Sequence, residues 1–307
     1  MNLKKIVIAL CTNKRPVLLA DAMNSLSKVI CPSNFTLEFI LIDNDISKTG
    51  KPVFDSLVNY LPFKSEYYLE AKKGITFARN RALLEASKRE ADYLAFFDDD
   101  AIVSPEWLNN LMHYSTADDL SILTGPQLSV FDKNCPDWAT KIIYFNPRRY
   151  PCGSKLRWAA TNNIVIPMKL YTKYGISFDS SLRYSGGSDQ CLCMEARMVG
   201  FSIIWVDTAI VREKVTLERA NFKWVLNRSF RYGSTGFFMH YKEKGYIYAF
   251  ILSTLKSIYY ILSGVWKVFF SHPKNKLNKI EGVCLLARGM GWISGIFNKK
   301  HNEYVNR

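Results

Sequence analysis

LAFFDDDAIVSPEWL, residues 94–108, runs an apolar segment into three consecutive aspartates and then a Pro-Glu-Trp turn. Tyr93–Phe97 has the length and composition of a buried strand, so Asp98, Asp99 and Asp100 fall at its carboxyl end. Three adjacent like charges beside a buried strand are unfavourable unless a cation or a strong donor sits among them. Two carboxylates one residue apart can hold Mg²⁺ or Mn²⁺ while a diphosphate completes the coordination. The metal then takes up charge on a leaving phosphate. A solvated acidic turn is the plainer alternative, and the neighbouring segments decide between the two.

Working outward, apolar runs at Lys5–Leu10 and Phe35–Ile42 predict two further strands, with a shorter one at Tyr67–Leu69. Arg15–Leu26, Val53–Tyr60 and the stretch KKGITFARNRALLEASKR (72–89) predict helices between them. Strands alternating with helices indicate an α/β fold with a mostly parallel central sheet. In such sheets ligands bind beyond the carboxyl ends of the strands. Thr12–Arg15, Asp43–Asp45 and Asp98–Asp100 all fall at such ends, so three polar clusters converge on one crevice. Further along, 132–155 reads as a long loop, AATNNIVIP (159–167) as a strand, SGGSDQCLCMEARMVG (185–200) as a Gly-rich turn opening a helix, and FSIIWVD (201–207) as a strand.

The charge is uneven. Residues 212–307 carry +12 of the chain's net +14, which points to an anionic partner for that third, a membrane surface or a nucleic acid. Seven cysteines, an odd number with no C-x-x-C, indicate free thiols in a reducing compartment. Tyr246–Phe270 is long enough to cross a bilayer, but Ser253, Lys256, Ser257, Ser263, Gly264 and Lys267 recur along one stripe. A polar stripe with central lysines favours a helix lying in the membrane interface over one that crosses it.

Single residues carry both functional and plain readings. Asp189, at a helix start, is either a cap or a general base on a flexible Gly pair. Asp43 either receives a pyrimidine N3–H or closes an Asx-turn. Arg79 either contacts a diphosphate or is a surface helix charge.

With these clusters in order, the chain resembles the family 2 glycosyltransferases of GT-A fold, from about Lys4 to about Gly236. The likeness rests on CTNKRP, LIDND, GITFARNRAL, FFDDDAIVSPEWL, NNIVIP and GGSDQCLCMEARMVGFSIIW. It implies an inverting transfer from a nucleotide-sugar, a UDP-sugar above all, with Thr12, Asn13, Arg15, Asp43, Asp45, Arg79, Asp98 and Asp99 on the donor. Mn²⁺ or Mg²⁺ would sit on Asp98 and Asp100. Asp189 would be the base, and Trp158, Asn162, Asn163, Gly186 and Gly187 would line the acceptor side.

Two departures stand out: Ser188 replaces the usual Glu, and Glu213 stands where relatives often carry a metal-binding His. The resemblance further implies a donor half at 1–104, an acceptor half at 105–236 and a basic, hydrophobic tail at 237–307. The tail would lie on the cytoplasmic face of the membrane, against anionic lipid, with a glycan or lipid-linked acceptor and no nucleic acid. A metal-dependent nucleotidyltransferase is disfavoured because CTNKRPVLLA has no glycine for a triphosphate loop. A non-catalytic basic peripheral-membrane protein leaves the acidic strand end unexplained.

Overall fold

The computed structural model describes residues 3–272 and 275–297; positions 1–2, 273–274 and 298–307 of the expected domain and tail lie outside them. In chain order the elements begin β1 (Lys4–Thr12), α1 (Pro16–Leu26), β2 (Phe35–Asp43), α2 (Lys51–Leu57), β3 (Lys64–Leu69) and α3 (Ile75–Lys88). They continue with β4 (Tyr93–Phe97), β5 (Ala101–Val103), α4 (Trp107–Met112), β6 (Ser121–Thr124), β7 (Gln127–Phe131) and α5 (Asp137–Lys141). Next come β8 (Lys155–Leu156), β9 (Asn163–Pro167), α6 (Lys169–Thr172), α7 (Ser188–Met198), β10 (Ser202–Trp205) and β11 (Val211–Val215). Three long helices follow, α8 (Phe222–Lys244), α9 (Tyr246–Phe269) and α10 (Lys276–Ile296).

The chain divides into two compact units. The first comprises the chain up to 128, 148–183 and 188–214; the second comprises 129–147, 184–187 and 215 onward. In the first, eight strands order as β3-β2-β1-β4-β9-β6-β10-β8. β1 pairs in parallel with β2 and β4, β2 with β3, and β6 with β10. β9 runs antiparallel to both β4 and β6, and β8 runs antiparallel to β10.

Apolar runs covered on both faces make such strands. Alternation along β1 sends Ile6, Ile8 and Leu10 to one core with α1 residues Leu19, Met23 and Leu26. Val7 and Ala9 go to the opposite core, with Ala78, Ala82 and Ala86 of α3. The reversed β9 matters for the site, because Asn163 opposes Phe97 at the last residue of β4. The residues that lead into β9 therefore lie at the same edge as those that leave β4.

The second unit differs from the sequence reading in three respects. Segment 132–155 is not simply a surface loop: it contains α5, and Ala139, Ile142 and Phe145 are buried with Val225 and Cys284. Phe145 stacks on Trp224 at 5.5 Å. The expected division at 236/237 falls inside α8, a helix not anticipated from sequence. The stripe on α9 does not face headgroups. Ser253 and Ser257 are buried, Ser257 Oγ donates to the Gly289 carbonyl at 3.0 Å, and Lys267 pairs with Glu281. Lys256 Nζ lies 2.9 Å from His240 Nε2 and 4.7 Å from the Trp292 ring centroid. The stripe is thus a helix-packing face.

The opposite face of α9 leaves Ile247, Ile251, Leu255, Leu262, Trp266 and Phe269 exposed. Among the described residues α9 is the one helix long and apolar enough to cross a membrane, with mean hydropathy 1.3.

α8 and α10 meet through small residues. A Cβ at Gly291 would collide with the Phe230 carbonyl oxygen. Gly291→Val is expected to force these helices apart and cost about 1–3 kcal/mol by overpacking. Chemical denaturation monitored by circular dichroism measures it; an unchanged midpoint would contradict the close approach.

Candidate active site

Polar residues from four strand ends meet at one edge of the sheet in the first unit. After β4 the chain turns at Asp98–Asp100, closed by the Ala101 N–H donating to the Asp98 carbonyl at 3.1 Å. β5 follows at once and pairs antiparallel with β11, and the Lys214 N–H donates to the Asp100 carbonyl at 2.9 Å. The aspartate turn is therefore fixed from both sides.

Asp99 and Asp100 are buried. Thr12 Oγ1, from the end of β1, donates to Asp99 Oδ2 at 2.7 Å. Arg15 Nη1 lies 3.0 Å from both Asp99 Oδ1 and Asp100 Oδ2. Burial, with the Asp100 charge beside it, pushes Asp98 up to about 7 despite the opposing Arg79. Burial likewise pushes Asp99 up to about 6, with Arg15 opposing. The turn carries more negative charge than its arginines offset.

The other expected donor residues divide by role. Asp43 has 0% exposure. Its Oδ2 accepts from the Gly50 N–H at 2.8 Å and the Tyr67 hydroxyl at 3.0 Å, and its Oδ1 accepts from the Asp45 N–H at 3.1 Å. Asp45 is buried too and accepts from the Ser47 N–H and the Thr49 hydroxyl. Both aspartates build the loop after β2, and the Asp43 carboxylate, expected to contact a base, is buried among these donors. Asn13 is half-buried at the end of β1.

Asn44, between the two aspartates, went unnoticed in the sequence. Its amide donates to the Glu70 and Lys72 carbonyls and accepts from the Gly74 N–H at 2.9 Å. Gly74 opens α3 at φ +136°, where any Cβ would also strike Arg183. Asn44 and Gly74 together aim α3, and with it Arg79.

Arg79 reaches α7 rather than solvent. Its Nη1 lies 2.7 Å from Asp189 Oδ1 and 3.2 Å from Ser188 Oγ. Asp189 occupies the first turn of α7, where a carboxylate suits the helix dipole. Its Oδ2 faces both the N–H and the hydroxyl of Thr161, each at 3.3 Å. Ser188 donates its hydroxyl to Asp189 Oδ1 at 3.1 Å.

Thr161 was not anticipated. The one signal for it is its place just before β9, and that signal is legible only once β9 is known to be reversed.

On the expected acceptor side, Asn163 has 0% exposure. It accepts from Trp107 Nε1 at 2.9 Å and donates to the carbonyls of Pro126 and Ala209. It is a core amide that ties β9 to α4. Asn162 bonds to Gln127, and Trp158 is 46% exposed. Gly186 and Gly187, at φ +76° and +87°, belong to the second unit.

Glu213, on β11 opposite Ala101, acts on Asp98 through its charge. Among the described residues, however, no group of three or more His, Cys, Asp or Glu side chains is arranged to hold a metal. Asp100 and Glu213, the latter a candidate third ligand in the sequence, both act on Asp98 through their charge. Two carboxylates still fit a divalent cation of the kind that nucleotide phosphates help to coordinate. All seven cysteines are free.

The family model described as Glycosyl transferase family 2 matches residues 6–175. The succinoglycan biosynthesis protein ExoM of Rhizobium meliloti (strain 1021) is 29% identical over 228 residues, 74% of this chain and 72% of that protein. A mannosyltransferase, PcManGT from Pyrobaculum calidifontis, solved with GDP-Man and Mn²⁺, superposes with TM-score 0.59 at 13% identity, covering 96% of this chain and 87% of its own. GalNAc-T7, solved with UDP, GalNAc and Mn²⁺, gives 0.55 at 15% identity over 76% of this chain. The present chain spans about half of that protein's length, 51%. At these identities the two structures establish a shared GT-A fold.

The raised Asp98 makes a prediction. A carboxyl whose folded value lies above its unfolded one favours folding less as pH rises between them. Its cost is absent below about pH 4 and complete above about 7. Asp98→Asn in chelator is thus expected to match the parent near pH 4 and to exceed it by about 1–3 kcal/mol at pH 8. Denaturation across pH tests this, and parallel stability curves would refute it.

Proposed function

The chain belongs to glycosyl transferase family 2, and we propose that it moves a sugar from a nucleotide-sugar donor onto a saccharide or lipid-linked acceptor, with inversion, in the synthesis of a surface polysaccharide. The observation that carries this reading is the crevice itself. Asp98–Asp100, Arg15, Arg79 and Asp189 gather at the edge of the sheet where open α/β folds bind ligands. The likeness to ExoM supports polysaccharide synthesis as the setting. UDP in GalNAc-T7 and GDP-Man in PcManGT support a nucleotide-sugar as donor class.

In this reading the diphosphate lies against Arg15 and the aspartate turn. Asp98 and Asp100 would hold a divalent cation, Mn²⁺ or Mg²⁺, which neutralises charge on the leaving diphosphate. Asp189 takes the proton from the acceptor hydroxyl as that oxygen bonds to the anomeric carbon. The bond from that carbon to the diphosphate oxygen breaks on the opposite face, and a single displacement inverts the centre. Thr161 and Ser188 orient the Asp189 carboxylate.

The acceptor's lipid, the anionic leaflet and the cytoplasmic location belong to the same proposal. The exposed apolar face of α9, with the basic C-terminal third, suits a helix half-sunk in an anionic bilayer.

Two measurements test these points. With UDP or GDP and Mn²⁺ at a hundredfold excess over the dissociation constant, the protein should gain about 2.7 kcal/mol in stability. Asp100→Ala should lose that gain; an equal gain in the variant would remove the aspartate turn from the donor site. Leu255→Glu combined with Leu262→Glu, both on the exposed face, should reduce cosedimentation with phosphatidylglycerol vesicles about fivefold. Undiminished cosedimentation would refute the membrane-facing role of α9.

A further inference from the structure

The carboxylate read as the base is held in an ion pair with Arg79. Asp189 receives Arg79 and Ser188 on one oxygen and Thr161 twice on the other. Its Oδ1 meets the Arg79 guanidinium at 2.7 Å, so an acceptor hydroxyl has to compete with that contact for the carboxylate. Transfer therefore requires that something loosen this pair.

Arg79 is placed to be loosened. Its side chain is 12% exposed and that of Asp189 22%, so the pair borders solvent without being dissolved in it. The guanidinium carbon sits 5.6 Å from the Phe178 ring centroid. Asn80 fixes Phe178 by donating to its carbonyl at 2.8 Å and accepting from its N–H at 2.9 Å. A guanidinium over a ring can turn in its own plane and keep the cation–π contact. Its charge also acts on Asp98, so it is coupled electrostatically to the aspartate turn as well as to the base.

We propose that Arg79 is a donor-sensing latch: it clamps Asp189 in the empty enzyme, and the diphosphate of a bound nucleotide-sugar draws it off, freeing the base. The inference rests on the donor site proposed above. A diphosphate offers the guanidinium two or more anionic oxygens in place of one carboxylate. Coupling between two anions for one cation is reciprocal. The work of parting Arg79 from Asp189 weakens nucleotide binding, and removing the charge of Asp189 must return it. Arg79 is in this sense a positioning residue whose effect on the base passes through the ion pair.

The test is a double-mutant cycle on the full chain, with UDP and GDP, each with Mn²⁺, titrated calorimetrically. Asp189→Asn is expected to tighten nucleotide binding about 5- to 30-fold, and Arg79→Gln to weaken it. In the Arg79→Gln background, adding Asp189→Asn should change affinity less than about twofold. Arg79→Lys, which keeps the charge and loses the fork, should retain part of the gain and guards against an unfolded glutamine variant. A gain of equal size with and without Arg79 would mean simple charge repulsion and would overturn the latch. No gain at all would overturn it too, while leaving the donor site in place. If neither nucleotide binds the parent protein, the donor-site reading fails, and the latch with it.

Discussion

Negative charge held below the surface at the edge of a sheet is the constraint on which the rest of this molecule turns. Asp99 and Asp100 are buried, and desolvation pushes Asp98 and Asp99 above the ordinary carboxylate range. Around them the fold supplies a hydroxyl from β1, a guanidinium just before α1 and a second strand pair that clamps the turn. The same balance recurs at α7, where Arg79 and Thr161 surround Asp189. Sites of this kind trade stability for reactivity, since charge left under-compensated in the empty protein is available to a ligand that compensates it.

Much of this was legible in the chain. The runs that became β1, β2 and β4 are apolar through their length because both faces are covered, and each ends where its polar cluster begins. What the sequence did not reveal depends on partners distant along the chain. Asp43 and Asn163 read as ligand contacts, yet both are filled by donors and acceptors from Tyr67, Gly50, Trp107, Pro126 and Ala209. No local spacing encodes those meetings. Thr161 was hidden because the direction of a short apolar strand cannot be read from its composition.

The tail makes the same point about helices. Periodicity located the stripe on α9 but not what covers it. The stripe turned out to be the packed side, with serine, glycine and paired lysine against α10 and its neighbours, and the large apolar residues point outward. Water selects the opposite sense in a helix bundle. Small residues and hydrogen bonds between the helices let their backbones approach closely on the packed side.

The reversal of β9 carries a consequence for how such a molecule can diversify. In a wholly parallel sheet each residue at the working edge is followed by a helix that must find its way back, so lengthening a loop there disturbs the next crossover. β9 enters the sheet from the working edge, so the mostly exposed stretch 146–154 ahead of it can change length and content while the ladder from Asn163 to Pro167 stays in register with β4. The hydrogen-bonded frame that holds the aspartates is insulated from that variation.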